Sequence, residues 1–230
     1  SLPAVSDVIV DPRSRAWVEI DPGALVRNAR SYIDRVGVPI LPRGKANGYG
    51  LGAVGVARIL RAVNPWGFGV ASLDEAVELR EAGITEPLIV FGPLLPSIVE
   101  PMRQIAARPT IGDVEALEAW RAAGGGPFHL EVDTGMSRAG IRWDDRATLS
   151  AIRRLLLEGH DWEGVFTHFH SAADNLQSVL DQWALLLRTI DVIGRRPPLV
   201  HASNSAGGAR SGPWRGDLAR PGIHLYGGSV

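Results

Sequence analysis

The chain alternates short apolar runs with longer segments of helical period, and this alternation limits its possible folds more than any other feature. Eight such runs, rich in Val, Ile and Phe, follow one another along the sequence. Near-continuous apolar strands separated by helices are typical of parallel βαβ units, whose strands are covered on both faces. The predicted strands are Pro39–Ala46, Trp66–Ala71, Pro87–Gly92, Pro109–Gly112, Phe128–Asp133, Gly164–His168, Leu199–Ala202 and Ile223–Tyr226.

Amphipathic segments separate these runs. The predicted helices include Ala53–Val63, Leu73–Ala82, Val114–Ala123, Asp145–Leu157 and Val179–Ile193. Eight βα units in a chain of 230 residues predict a (β/α)8 barrel of the TIM type, near the lower size limit of that fold. A doubly wound open sheet is the alternative. Such a sheet usually has a glycine-rich fingerprint after its first strand, and none follows here.

Composition excludes several classes of protein. The chain has 24 basic and 25 acidic residues, which argues against a nucleic-acid or polybasic membrane partner. It has no cysteine, so disulfides, thiolate metal sites and a cysteine nucleophile are excluded. No apolar run is long enough to span a membrane, and residues 1–14 do not resemble a secretory signal. The expected location is the cytoplasm.

Lysine is nearly absent, since 23 of the basic residues are Arg and Lys45 alone is Lys. Arginine stays protonated, whereas an enclosed lysine can lose its proton, attack a carbonyl and form an imine. Lys45 also follows the first predicted strand, and barrel enzymes place their chemistry at the carboxyl ends of strands. These facts predict a catalytic amine at Lys45. The alternative is that one lysine survived by chance.

Polar residues also follow other predicted strands. Ser205, Gly222 and Ile223 lie after strand 7 and around strand 8, where barrels often bind a phosphate. Ordinary turn chemistry explains them equally well. His168 and His170 lie two residues apart, so with His201 they could form a metal site of a barrel hydrolase. We rank this metal site well below hydrogen-bonding roles for the three histidines.

Several collinear motifs together make the chain resemble the N-terminal barrel domain of the alanine racemases, a family that depends on pyridoxal 5'-phosphate (PLP). They span nearly the whole chain, and the set is specific although each piece alone is weak. The motifs are RAWVEID (Arg15–Asp21), KANGYG (Lys45–Gly50), GFGVASLDEAVELREAGI (Gly67–Ile84), DTGMSRAG (Asp133–Gly140), THF (Thr167–Phe169), NSA (Asn204–Ala206) and ARPGIHLYG (Ala219–Gly227).

The resemblance implies a role for individual residues. Lys45 would hold PLP covalently and act as one of two bases. Arg138 would contact the phenolic oxygen of the cofactor and the substrate carboxylate. Arg220 would face the pyridine nitrogen and leave it unprotonated, because arginine does not give up its proton. His168 would hydrogen-bond Arg220 and form part of a relay toward the second base, so Lys45, His168 and Arg220 would be the catalytic residues. The remaining cofactor-binding residues would be Tyr49, Asn204, Ser205, Gly222 and Ile223.

The resemblance also sets expectations for the whole chain. Residues 1–14 would be an extension, and residues 15–230 the barrel, with a leading strand at Trp17–Asp21. The family continues into a C-terminal β-domain, through which a homodimer completes each site with the second base. We therefore expect a fragment or truncated form of an amino-acid racemase, with alanine as the expected substrate and little activity alone. The alternatives are a one-domain PLP carrier and, more remotely, the metal hydrolase.

Two positions depart from the family pattern. Arg43 stands where small apolar residues are usual, and strand alternation would place it on the same face as Lys45. Such a cation would favour the uncharged form of the Lys45 amine. Glu131 stands where many members have a carbamate-modified lysine. We expect its carboxylate to orient Arg138 directly, as an ion pair at the strand end would.

Overall fold

A computed structural model describes residues 19–157, 159 and 161–228. The predicted extension at 1–14 and the first two residues of the predicted strand Trp17–Asp21 lie outside the described residues. Asp21 does not continue a strand. Its carboxylate accepts a hydrogen bond from the Ala24 amide at 3.0 Å and caps the first helix.

Within the described residues, seven strands form one sheet, whose pairings are all parallel. The order is β1-β2-β3-β4-β6-β7, and the short β5 pairs only with β4. The strands are β1 (Phe68–Val70), β2 (Leu88–Pro93), β3 (Arg108–Ile111), β4 (Phe128–Asp133), β5 (Ile141–Arg142), β6 (Trp162–Phe166) and β7 (Leu199–His201).

Two irregular segments, residues 39–43 and 217–221, close this sheet into a barrel. Bridges join Ile40 to Ala219 and Arg43 to Gly69, so segment 39–43 lies between β1 and segment 217–221. On its other side segment 217–221 is bonded to β7, where the Asp217 amide donates to the Val200 carbonyl at 2.8 Å. The barrel wall thus has eight extended segments, which we call staves: the two irregular segments and the six strands of the main order, without β5. Eight staves agree with the (β/α)8 prediction.

The eighth predicted strand was placed wrongly. Ile223–Tyr226 is a 3-10 helix, and the stave lies just before it, at 217–221. Leu218 and Ala219 are the fully buried residues of this stave. In the following segment Leu225 is fully buried while Ile223 is 41% exposed, a spacing that does not alternate as a strand requires. In the sequence, the apolar pair Leu218-Ala219 indicates a strand less strongly than the longer apolar run Ile223–Tyr226 that follows it.

Five of the helices in the described residues match the predicted set, at Ala53–Leu60, Leu73–Glu81, Val114–Ala122, Arg146–Leu157 and Leu176–Ile193, and the other four are additional to it. Helix α1 is absent from that set, although Asp21-Pro22 at its start and Gly37 in the left-handed region at its end are typical helix boundaries. The helices are α1 (Pro22–Val36), α2 (Lys45–Tyr49), α3 (Ala53–Leu60), α4 (Leu73–Glu81), α5 (Val99–Gln104), α6 (Val114–Ala122), α7 (Arg146–Leu157), α8 (Leu176–Ile193) and α9 (Ser205–Ala209).

The inside of the barrel is polar toward β4, β6 and β7. His129, His201 and Arg220 are at most 2% exposed, and Glu131 is 7% exposed. Buried polar groups of this kind require hydrogen-bond partners. Among the described residues, no helix combines the length and the apolar character needed to cross a bilayer.

Candidate functional site

Lys45 opens a left-handed turn rather than ending a strand. The predicted first strand ran to Ala46, but helix α2 has left-handed backbone angles from Ala46 to Tyr49, with φ between 53° and 64°. Residues with a Cβ avoid this region, so a run of them must be held by its surroundings. The turn ends the first stave abruptly and brings Lys45 and Tyr49 to the same mouth of the barrel.

Glu75 holds this turn from helix α4. Its carboxylate accepts from the Ala46 amide at 2.8 Å and from the Ala71 amide at 2.6 Å. The Asn47 side chain adds a bond from the Ala53 amide at 2.8 Å, which joins the turn to α3. Glu75 was not among the predicted site residues. Its signal was the spacing Ser72-x-x-Glu75, typical of a helix start, where Ser72 does cap α4.

A cavity of about 210 Å³, open to solvent, lies at the carboxyl ends of the staves. All the residues predicted to bind the cofactor line it, although they come from five separate parts of the chain. The lining residues are Arg43, Lys45, Tyr49, Arg138, His168, Asn204, Ser205, Ala206, Arg220, Gly222 and Ile223.

One end of the cavity presents hydrogen-bond donors. The Ser205 hydroxyl oxygen accepts from the Gly222 amide at 2.9 Å and from the His224 amide at 3.4 Å. Its own proton is therefore free to point toward a ligand. Tyr49 lies beside Gly222, so close that a Cβ at that glycine would stand 2.2 Å from the Tyr49 hydroxyl. Burial raises the pKa of Tyr49, so this hydroxyl keeps its proton as a donor.

Tyr226 supports this end of the cavity from behind. Its ring stacks on Tyr49 at 4.5 Å between centroids, and its hydroxyl donates to the Arg43 carbonyl at 2.9 Å. Burial raises the pKa of Tyr226 above its ordinary value. The second tyrosine thus fixes the position of Tyr49 without facing the cavity itself.

Asn204 lines the cavity, and its amide group also holds the local chain. The side-chain oxygen accepts from the Gly207 amide at 2.9 Å and caps α9, while the side-chain nitrogen donates to the Phe169 carbonyl at 3.3 Å. These bonds use one of the two amide hydrogens, so the predicted contact with a cofactor stays a prediction. They also shape the chain just before Ser205.

Arg220 crosses the floor of the cavity and is almost fully bonded. It donates to His201 Nδ1 at 2.7 Å and to the carbonyls of His201, Thr167 and Ala202 at 2.7–3.1 Å. Its Nε is buried and has no partner among the described residues. Burial, and then the neighbouring Arg43, lowers the pKa of Arg220 to about 9.

The predicted hydrogen bond between His168 and Arg220 is not formed among the described side chains. His201 takes that place, because it projects from β7 beside the guanidinium while His168 lies one residue beyond the Thr167 carbonyl that Arg220 uses. The His168 ring faces the cavity instead. Burial, followed by the charge of Arg220, lowers the pKa of His168 to about 3, so the ring is neutral.

The three histidines of the metal alternative do not converge. His201 is bonded through both ring nitrogens, to Arg220 and to His129. His170 is bonded to Ser171 and to Ser178. Within the described residues no group of three His, Asp or Glu side chains is arranged to hold a metal ion. The geometry gives the metal-hydrolase interpretation no support.

The two departures from the family pattern have different outcomes. Arg43 lies inside the barrel over the Phe91 ring, 3.8 Å from its centroid, and forms no ion pair with the described carboxylates. Its predicted effect on Lys45 stays a prediction. Glu131 forms no ion pair with Arg138 within the described residues, so the expected direct contact is absent. Burial raises the pKa of Glu131, and Arg138 opposes that shift through space.

The residues present fit PLP. Tyr49, Ser205 and the tight approach at Gly222 form a donor-lined cradle suited to a phosphate. The only lysine of the chain borders the same cavity. At the floor, Arg220 keeps a buried nitrogen without a partner, although its other nitrogens are bonded. A phosphate, an aldehyde and an aromatic ring acceptor would each find a matching group here.

Comparison with known proteins shows the family of the chain. The family profile described as "Alanine racemase, N-terminal domain" matches residues 20–230. An alanine racemase of Latilactobacillus sakei is 36% identical over 88% of this chain and 56% of its own length. One of Synechocystis is 34% identical over 94% of this chain and 61% of its own length.

Solved structures give the same result. The alanine racemase of Bacillus anthracis, with bound L-Ala-P, superposes with a TM-score of 0.83 at 31% identity. This match covers 93% of the chain and 58% of the other protein. The enzyme of E. faecalis has a TM-score of 0.80, also at 31% identity, over 91% of the chain. The chain thus spans 56% to 61% of the two curated relatives' lengths.

Proposed function

The chain belongs to the alanine racemase family, and from that premise we propose that it binds PLP on Lys45 and serves in racemising a small amino acid, first of all alanine. The observation that carries this proposal is the placing of the chain's only lysine. Lys45 borders a cavity that has phosphate donors at one end and the buried Arg220 at its floor.

Each part of the cavity would hold a different part of the cofactor. Ser205, Tyr49 and the Gly222 region would hold the phosphate. Lys45 would bond the aldehyde carbon through Nζ. When bound, PLP supplies an electron sink that stabilises negative charge at the substrate α-carbon. Arg138, which is exposed at the mouth and makes no ion pair with the described carboxylates, would attract the substrate carboxylate.

Arg220 would restrain that electron sink. A guanidinium holds its protons even with a pKa lowered to about 9, so it donates a hydrogen bond to a ring nitrogen without protonating it. A weaker sink favours simple proton return over other reactions of the same carbon. The neutral His168 ring adds no further charge to this floor.

Proton transfer at the α-carbon needs groups on both faces of the substrate. The Lys45 amine would take or return a proton on one face. Tyr49 would bind the phosphate and keeps its proton, so it is not the second group. His168 is a weak base, because its pKa is lowered to about 3. We propose that the second group comes from outside the described lining, from a second domain of a partner subunit as the resemblance implies.

A cofactor-trapping experiment tests the proposal. PLP added to the 230-residue chain should produce a visible absorbance band, and borohydride should fix the cofactor mass on the peptide that contains Lys45. The Lys45→Arg variant should keep the positive charge but lose the band, because arginine cannot form an imine. Absence of a band in the parent chain, or an unchanged band in the variant, would contradict the proposal.

Racemase assays separate an enzyme domain from a carrier. The PLP-loaded chain alone should form little D-alanine from L-alanine, and the same chain mixed with the C-terminal half of a relative should form more. A stable Lys45 adduct without turnover in either assay would instead favour a PLP carrier.

A further inference from the structure

A row of hydrogen bonds runs from the floor of the cavity to the opposite end of the barrel. Arg220 donates to His201 Nδ1 at 2.7 Å, and His201 Nε2 lies 2.8 Å from His129 Nδ1. His129 Nε2 in turn lies 3.1 Å from a carboxylate oxygen of Glu163. Arg108 donates to that same oxygen at 2.8 Å. The row thus has an arginine at each end.

The partners decide where each imidazole proton lies. A guanidinium only donates, so His201 must accept at Nδ1 and carry its proton on Nε2. That proton points at His129 Nδ1, so His129 must also carry its proton on Nε2. The last proton then needs an acceptor. Glu163 is the group in the row that accepts without donating, and it separates the donors of His129 and Arg108.

The backbone is shaped to admit this row. His129 lies on β4, Glu163 on β6 and His201 on β7, which are neighbours in the sheet. Gly164 lies against the His129 ring, and a Cβ there would stand 2.1 Å from Nδ1. Both histidine rings are fully buried, so water cannot replace a missing partner cheaply. Arg108 packs over Trp66, 5.6 Å from the ring centroid, which fixes the far end.

We propose that Glu163 is a positioning residue for the cavity: it fixes the tautomers of His129 and His201 and thereby aims the Arg220 guanidinium. Without the Glu163 carboxylate, Arg220 and Arg108 would leave hydrogen-bond donors at both ends of the row, and no group in it would accept without donating. Either His129 would then keep a buried Nε2 proton without an acceptor, or both imidazole protons would move to Nδ1 and Arg220 would lose its bond to His201 Nδ1. We expect the second, because the same Arg220 nitrogen also donates to the His201 carbonyl at 2.8 Å and so keeps an acceptor. The tautomer assignment does not depend on the proposed function, whereas the expected effect on PLP binding rests on it.

The test is nitrogen NMR of the imidazoles in the full chain without cofactor. In the parent chain, both His129 and His201 should show a protonated Nε2 and a bare Nδ1. Glu163→Leu should shift the majority of molecules away from that pattern at one or both rings. Glu163→Gln should retain it, because its amide oxygen can still accept from both His129 and Arg108. Arg108→Met should retain it as well, because Glu163 remains.

Several results would overturn the inference. A proton on Nδ1 of either ring in the parent chain would overturn the inference, even if no variant folds. The same holds if Glu163→Leu leaves both rings unchanged, or if Glu163→Gln alters them as much as leucine does. A separate PLP titration, followed by absorbance, should show weaker binding for Glu163→Leu than for Arg108→Met. A parent chain with the expected tautomers but no PLP band refutes the proposed function alone.

Discussion

At the scale of single residues, the cavity depends on where side chains are missing as much as on where they stand. Gly222 leaves room for the Tyr49 hydroxyl, and its amide bonds to Ser205. The φ of Gly222 is −120°, so the position does not need glycine for its backbone angle. Space is therefore the reason for glycine at this position.

The first prediction concerns Gly222→Ala. The new methyl group would displace the Tyr49 ring and weaken PLP binding by at least about tenfold, the loss of about 1.4 kcal/mol expected for one displaced hydrogen-bond donor. Gly55→Ala is the matched control, since Gly55 is exposed in α3 with open space beside it. It should raise the free energy of unfolding by about 0.5–1 kcal/mol. PLP titration and urea unfolding measure these effects, and equal PLP affinity in both variants would contradict the prediction.

At the scale of elements, the left-handed turn after segment 39–43 is the least expected feature. Alternation in the sequence indicates that a strand continues to Ala46, but Glu75 draws the Ala46 amide toward α4. The turn is therefore stabilised by a residue 29 positions away along the chain. Local sequence alone did not predict its handedness, although Gly48 and Gly50 within it are typical of chain reversals.

The second prediction concerns this contact. Glu75→Ala would leave the amides of Ala46 and Ala71 without their acceptor and should lower the free energy of unfolding by about 1–3 kcal/mol. Looser positioning of Lys45 should also slow formation of the PLP absorbance band. Asp74→Ala, an exposed neighbour on the same turn, is the control and should change both quantities little. Similar effects from the two variants would show that Glu75 has no special role in the turn.

At the scale of the whole molecule, the barrel buries an unusual column of polar groups. Burial lowers the pKa of His129, His168 and His201 below the ordinary histidine value. In the unfolded chain these rings would take up protons near pH 6.5, whereas in the folded chain they stay neutral at that pH. Stability from these groups is therefore complete above that pH and falls as the pH falls below it.

The third prediction follows from this sign. Between pH 7.5 and pH 5 the free energy of unfolding should fall by about 2 kcal/mol through His168 alone, whose pKa is lowered to about 3, and further through His129 and His201. Urea unfolding at several pH values measures the loss. His168→Gln should remove about 2 kcal/mol of this loss, because the His168 ring stays neutral throughout that range in the folded chain. A stability that is constant from pH 7.5 to pH 5 would contradict the prediction.

The sequence by itself determined the barrel, most helices and the cavity lining, because hydrophobic period and motif residues are local properties that survive in a single chain. Only the tertiary structure decided the eighth stave at 217–221, the left-handed turn of Lys45 and the choice of His201 over His168 as partner of Arg220. Each depends on which groups meet across the barrel. A buried donor takes the acceptor that the packed strands place within reach, and sequence spacing does not encode that distance.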